Sequence, residues 1–151
     1  FKKIKNLPLV FLLLIYVQII IGAFVSGMDA GKIYNSWPLM GNNYFPDDSS
    51  FNSFFNSNIF DNPSIVQFIH RNLAYLIFLI YLIIFFKVYI NKILSMYLIT
   101  NLIGLLLITQ IVLGIFTLLY GAQIFLASMH QISSIFLVSS CVYFLFLNNK
   151  N

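Results

Sequence analysis

The chain has 151 residues, of which 60% are hydrophobic and only 8% charged. Soluble domains carry about 25% charged residues, so composition alone excludes a soluble globular protein and places the chain in a membrane. The formal charge of +4 is not a nucleic-acid footprint, because the basic residues are scattered at the ends of apolar runs rather than gathered in a stripe.

A spanning helix needs about 20 apolar residues, and in chain order four segments meet that length. The first covers residues 7–25; it is too long for a signal peptide and lacks a small-residue cleavage site. It carries a mid-membrane glutamine, Gln18. An outer loop follows at 27–62, with turn glycines and amide, charged and aromatic groups as far as Met40. From Gly41 it becomes rich in Asn, Ser and Phe, and Phe51, Phe54, Phe55, Ile59 and Phe60 suggest a short interfacial helix capping the bundle. The second span, 65–86, opens with Gln67, His70 and Arg71, and Ala74 lies one turn further on. After a turn bounded by Lys87 and Lys92 comes the third, 96–119, with Gln110 near its middle. The fourth, 124–147, holds His130, Ser133, Ser134 and Cys141. A single cysteine in an apolar run excludes an internal disulfide and reads as a small buried thiol.

Lys2, Lys3, Lys5, Lys87, Lys92 and Lys150 would share one side, whereas Asp29, Asp47, Asp48 and Asp61 all fall in the long loop with Lys32. The positive-inside rule then puts both termini inside and the loop outside. Gln18-Ile-Ile-Ile-Gly22-Ala-Phe24 in the first span is matched by Gln110-Ile-Val-Leu-Gly114-Ile-Phe116 in the third. Each of these helices runs outward and is followed by an inward helix bearing one histidine. The expected fold is therefore an all-α integral membrane protein. It is a single domain over 1–151, a four-helix transmembrane bundle of two repeated helical hairpins related by an axis along the membrane normal.

His70 and His130 are the two histidines of the chain, and each lies seven residues past a helix-start signal, Pro63 and Gln123. At the rise of an α-helix, both imidazoles then sit about 10 Å below the same membrane face. An ionisable group within a membrane helix is by default a functional-site candidate. One such histidine reads best as a satisfied core residue. Two at matched depth on repeat-related helices point to metal or haem ligation. Zinc is disfavoured, since it wants three or four protein ligands, whereas a six-coordinate haem needs two axial imidazoles. Gln67 could orient a ligand or a porphyrin edge, or simply bond at the helix start. Arg71 suits a haem propionate through a bidentate pair, or else anchors the helix by snorkelling to water. Gln18 and Gln110 read as amides joining helices rather than touching a substrate.

The stretches GAFVSGMDAGKIYNSWPLM (22–40), NPSIVQFIHRNLAYL (62–76) and TQIVLGIFTLLYGAQIFLASMHQ (109–131) resemble haem A synthase, a cytochrome oxidase assembly family of mitochondrial and alphaproteobacterial type. That family has two homologous four-helix halves, and this chain resembles the C-terminal one. A start at Phe1 rather than Met is what a fragment is expected to show. In the family, the N-terminal half carries a Glu shortly before its first ligating His, implicated in oxidising the substrate. Here Gln67 occupies the corresponding region before His70-Arg71, and the chain has no Glu at all. The resemblance implies that His70 and His130 are the iron-ligating axial pair of a haem b. It implies an overall reaction in which the C8 methyl of haem O is oxidised to formyl, giving haem A for cytochrome c oxidase. Both the substrate haem O and the catalytic acid would then belong to the other half. Implied partners are membrane lipid, a haem O synthase and an electron donor, with homo-oligomerisation left open and no nucleic acid. The implied location is the bacterial or mitochondrial inner membrane.

Two other readings compete. One is a non-catalytic bis-histidine membrane cytochrome, which has little use for the 22–40 loop beyond capping its cofactor. The other is a transporter or assembly scaffold with a histidine proton relay, for which no acid partner lies in the spans.

Overall fold

The computed structural model describes residues 4, 6–55 and 59–150. Among these, four α-helices are long and apolar enough to cross a membrane, and no strand forms. They are α1 (Leu7–Gly27), α2 (Pro63–Ile90), α3 (Tyr97–Leu119) and α4 (Ile124–Lys150). α1, α2 and α4 run two to four residues past the expected apolar segments, because backbone hydrogen bonding continues where the side chains turn polar. At the start of α2 the reason is local. Pro63 occupies the first turn, where a missing N–H costs nothing, and the Asn62 side chain accepts from the backbone N of Ser64 and Ile65 at 3.0 and 3.3 Å.

Both short turns use left-handed backbone: Lys92 at φ 52° between α2 and α3, and Gly121 and Ala122 at 66° and 58° between α3 and α4. At Gly121 the absence of Cβ makes that conformation inexpensive. The connection from α1 to α2 is the long loop. It carries 3₁₀ turns at Ala30–Lys32, Phe51–Phe55 and Ile59–Asp61. Two such turns stand where a short amphipathic helix was expected, with residues 56–58 outside the described part.

Each helix packs on its two neighbours in the cyclic order α1, α2, α3, α4, so α2 and α4 stand on a diagonal. The apolar core fills the end of the bundle away from the loop. It is built from residues such as Phe11, Tyr81, Met96, Ile103, Cys141 and Phe144. There α2 and α3 approach closely: the Tyr81 hydroxyl donates to the Thr100 carbonyl at 3.2 Å, and the hydroxyl lies where a Cβ on Gly104 would stand. Gly104→Ala therefore has to displace the Tyr81 phenol and break that bond. Overpacking of this kind costs about 1–3 kcal/mol, against which the better helix propensity of alanine returns about 1 kcal/mol. A lower unfolding midpoint in detergent is expected; an unchanged or raised midpoint would contradict this packing.

Candidate functional site

The two histidines occupy equivalent settings in the two hairpins. On α1, Gln18 donates its amide to the backbone carbonyl of His70 at 3.0 Å. On α3, Gln110 does the same to the carbonyl of His130, also at 3.0 Å. One turn beyond each glutamine stands a glycine against which the imidazole lies. A Cβ at Gly22 would sit 3.1 Å from His70 Cε1, and one at Gly114 would sit 3.2 Å from His130 Cε1. The glutamine engages the histidine backbone, and the glycine leaves room for the ring.

Below this level the packing changes. The last core residues toward the loop are Ile15, Ile77, Leu107 and Leu137, each seven positions from Gly22, His70, Gly114 or His130 respectively. Seven residues of helix rise about 10 Å. Over those two turns α2, α3 and α4 contribute no buried apolar side chain, and α1 contributes only Ile21, which lies outside the core cluster. The histidines thus stand on diagonal helices above the apolar core, where the interior is lined by half-buried groups.

Within that zone His70 Nδ1 and His130 Nδ1 are buried and meet no hydrogen-bond partner. Buried polar groups are nearly always paired, and an imidazole nitrogen without a donor offers its lone pair to a metal. Among the described residues no three His, Cys, Asp or Glu side chains gather, so the donor set suits an ion needing two protein ligands. Two such nitrogens are the protein donors that a bis-imidazole haem asks for. They do not fit a structural or catalytic zinc.

Gln67 and Arg71 are brought together, but on the loop. Gln67 donates to the Tyr34 carbonyl at 3.1 Å. Arg71 reaches the same carbonyl at 3.0 Å, and those of Ser36 and Leu39 at 2.9 and 3.3 Å. The guanidinium fork collects three carbonyls that no secondary structure satisfies, which is why an arginine sits there. Its Nε, and Gln67 Oε1, remain buried and unpaired. Asn35 ties the loop to the second hairpin, donating at 2.8 Å to the Leu118 carbonyl in the last turn of α3, which also accepts from the Gly121 backbone N–H at 3.1 Å. Phe68 receives Phe45 and Phe54 with ring centroids 5.1 and 5.9 Å apart. Lys32 pairs with Asp29 at 2.7 Å on the surface.

Two loop carboxylates brace this cover. The Asn42 backbone N–H and the Asn43 amide hold Asp47 below its ordinary value. Burial pushes Asp48 up, but bonds from Ser64, Ser49 and Tyr34 outweigh it and hold it below 3.8. A depressed folded pKa stabilises above the unfolded value and is lost as pH falls through the folded one. The loop should therefore loosen as pH drops below about 4. Trp37, the single tryptophan, donates to the Tyr75 hydroxyl at 2.9 Å and reports on the loop. A fluorescence change in acid that Asp48→Asn shifts is expected; a titration identical in that variant would contradict the role of Asp48.

Sequence reading placed both histidines, and it placed Gln18 and Gln110 as amides joining helices. It missed Gly22 and Gly114 as ring platforms, although the repeated Gln-x-x-x-Gly spacing carried the signal. Ser133 proves to be a partner of Gln110. Cys141 is buried in the core, as expected.

The chain was also compared with known proteins. The family model described as cytochrome oxidase assembly protein (COX15-CtaA) matches residues 2–142. A protein named heme A synthase from Pelagibacter ubique is 46% identical over 99% of this chain and 44% of its own length. Its counterpart from Rickettsia akari is 40% identical over 97% of this chain and 44% of its own length. The chain thus spans less than half the length of these curated relatives. No solved structure matches it.

Proposed function

The chain belongs to the family of cytochrome oxidase assembly proteins, and on that premise we propose that it is the haem b-holding part of a haem A synthase. The reaction of the whole protein is oxidation of the C8 methyl of haem O to the formyl of haem A. It proceeds in the bacterial or mitochondrial inner membrane, which the four spans cross with both termini on the lysine-rich side.

His70 and His130 are the axial ligands, and residues 1–151 form one haem-binding domain. Bound there, a haem b supplies one-electron redox chemistry within the membrane. The chain's own contribution is binding and orientation. Gln18 and Gln110 hold the histidine backbones, Gly22 and Gly114 leave space for the rings, and Arg71 and Gln67 clamp the loop above. The Arg71 Nε–H, which no loop carbonyl takes up, is the donor it would offer to a propionate. No carboxylate lies in the spans, so the group that oxidises haem O, and the haem O site itself, are assigned outside this stretch. A haem O synthase supplies the substrate, and an electron carrier exchanges with the domain.

The observation that supports this most is the pair of imidazoles on diagonal helices, each with a buried, unpartnered Nδ1 and each in a similar Gln-and-Gly setting. The test is the haem content of cells in which this gene is deleted. Haem O without haem A is expected, with haem A restored on complementation. Normal haem A in the deletion strain would refute the assignment.

A further inference from the structure

The two hairpins differ in one respect. In the second, the Gln110 amide is also hydrogen-bonded to Ser133 Oγ, which itself donates to the His130 carbonyl at 3.1 Å. In the first, the position three residues after His70 is Leu73, with no hydroxyl to engage the glutamine. The Gln18 amide accordingly lies 3.4 Å from His70 Nε2 as well as on the carbonyl, and its own Oε1 is buried without a partner.

We infer that Gln18 and Gln110 are positioning residues that aim the two imidazoles, and that Gln18, by also reaching its ring, makes the His70 ligand inequivalent to His130. This rests on the axial-ligand reading above. The physical basis is that groups bonded to a ligating histidine set its orientation and basicity, and with them the properties of the metal. A mid-membrane amide donating to a helix carbonyl uses the second lone pair of that carbonyl. It resists rotation of the histidine about the helix axis without touching the metal. The ring also lies against Gly22, one turn from Gln18 along the same helix face.

The test compares Gln18→Met and Gln110→Met, which keep length and remove the donor, with the unaltered protein purified in detergent with its haem. The readouts are the highest g value of the ferric low-spin signal, which follows the angle between imidazole planes, and the midpoint potential. Both variants are expected to stay six-coordinate with shifted g values and potentials, and the shift is expected to be larger for Gln18→Met. A merely structural glutamine would change stability and leave both readouts in place. If neither variant moves them, the inference is overturned while axial ligation stands. Equal shifts, or a larger one for Gln110→Met, overturn the inequivalence. If Gln18→Met retains no haem, Gln110→Met decides, since a wild-type signal there overturns the inference. An unaltered protein with no six-coordinate low-spin signal overturns the ligation reading and this inference together.

Discussion

In His70→Ala and in His130→Ala, the absorption bands of a six-coordinate low-spin haem b are expected to disappear. Each substitution removes one of the two imidazoles proposed as axial ligands. No third histidine exists to replace it, since the chain has only two. The helices themselves should survive. The apolar core ends seven residues from both histidines, so truncating either ring opens no hole in it. Alanine is the best helix former, and the Gln18 and Gln110 bonds go to backbone carbonyls that the substitution leaves in place. Circular dichroism and a thermal scan of the apoprotein should therefore match wild type while the haem spectrum is lost. A low-spin six-coordinate spectrum persisting in either variant would mean that the residue is not a ligand. Loss of helicity together with haem would place the histidines in the structural core instead.

The second large effect is expected at the glycines. At Gly22 a new Cβ would meet Cε1, Nδ1 and Nε2 of His70 at 3.1, 3.7 and 3.9 Å. At Gly114 the corresponding distances to His130 are 3.2, 3.7 and 3.8 Å. Alanine needs the ring to give by a few tenths of an ångström, and valine adds two methyl groups in the same place. A ring held by a metal cannot turn aside, so haem retention should fall in the order Gly, Ala, Val at both positions. Helix propensity acts in the opposite direction. Replacing a helical glycine by alanine favours the helix by about 1 kcal/mol. The two effects separate in measurement: in Gly22→Ala and Gly114→Ala the apoprotein should be as stable as wild type or more so, while haem occupancy drops. Full occupancy in Gly22→Val and Gly114→Val would remove the glycines from the site.

Much of this molecule was legible in the linear chain. Four apolar segments of spanning length leave one workable architecture, because a membrane demands that every backbone polar group be satisfied within its own helix. The two histidines at equal distance from Pro63 and Gln123 are a matter of counting, and so is the repeat of Gln18 and Gly22 in Gln110 and Gly114. What periodicity could not convey is which surfaces meet. Gln67 reads in sequence as a group for a porphyrin edge or for the helix start, and Arg71 as a propionate partner or an anchor, and the tertiary structure brings both to the Tyr34 carbonyl. That loop has no repeating hydrogen-bond pattern, so its carbonyls take partners from wherever the chain passes. The same holds for the end of the core above Ile77 and Leu137, and for the placing of Gly22 against His70. Span length and ligand type are properties of single segments, set by hydrophobicity and side-chain chemistry. The depth of the core and the seat of each imidazole are properties of helix pairs, decided only when the side chains of one helix are packed against the backbone of another.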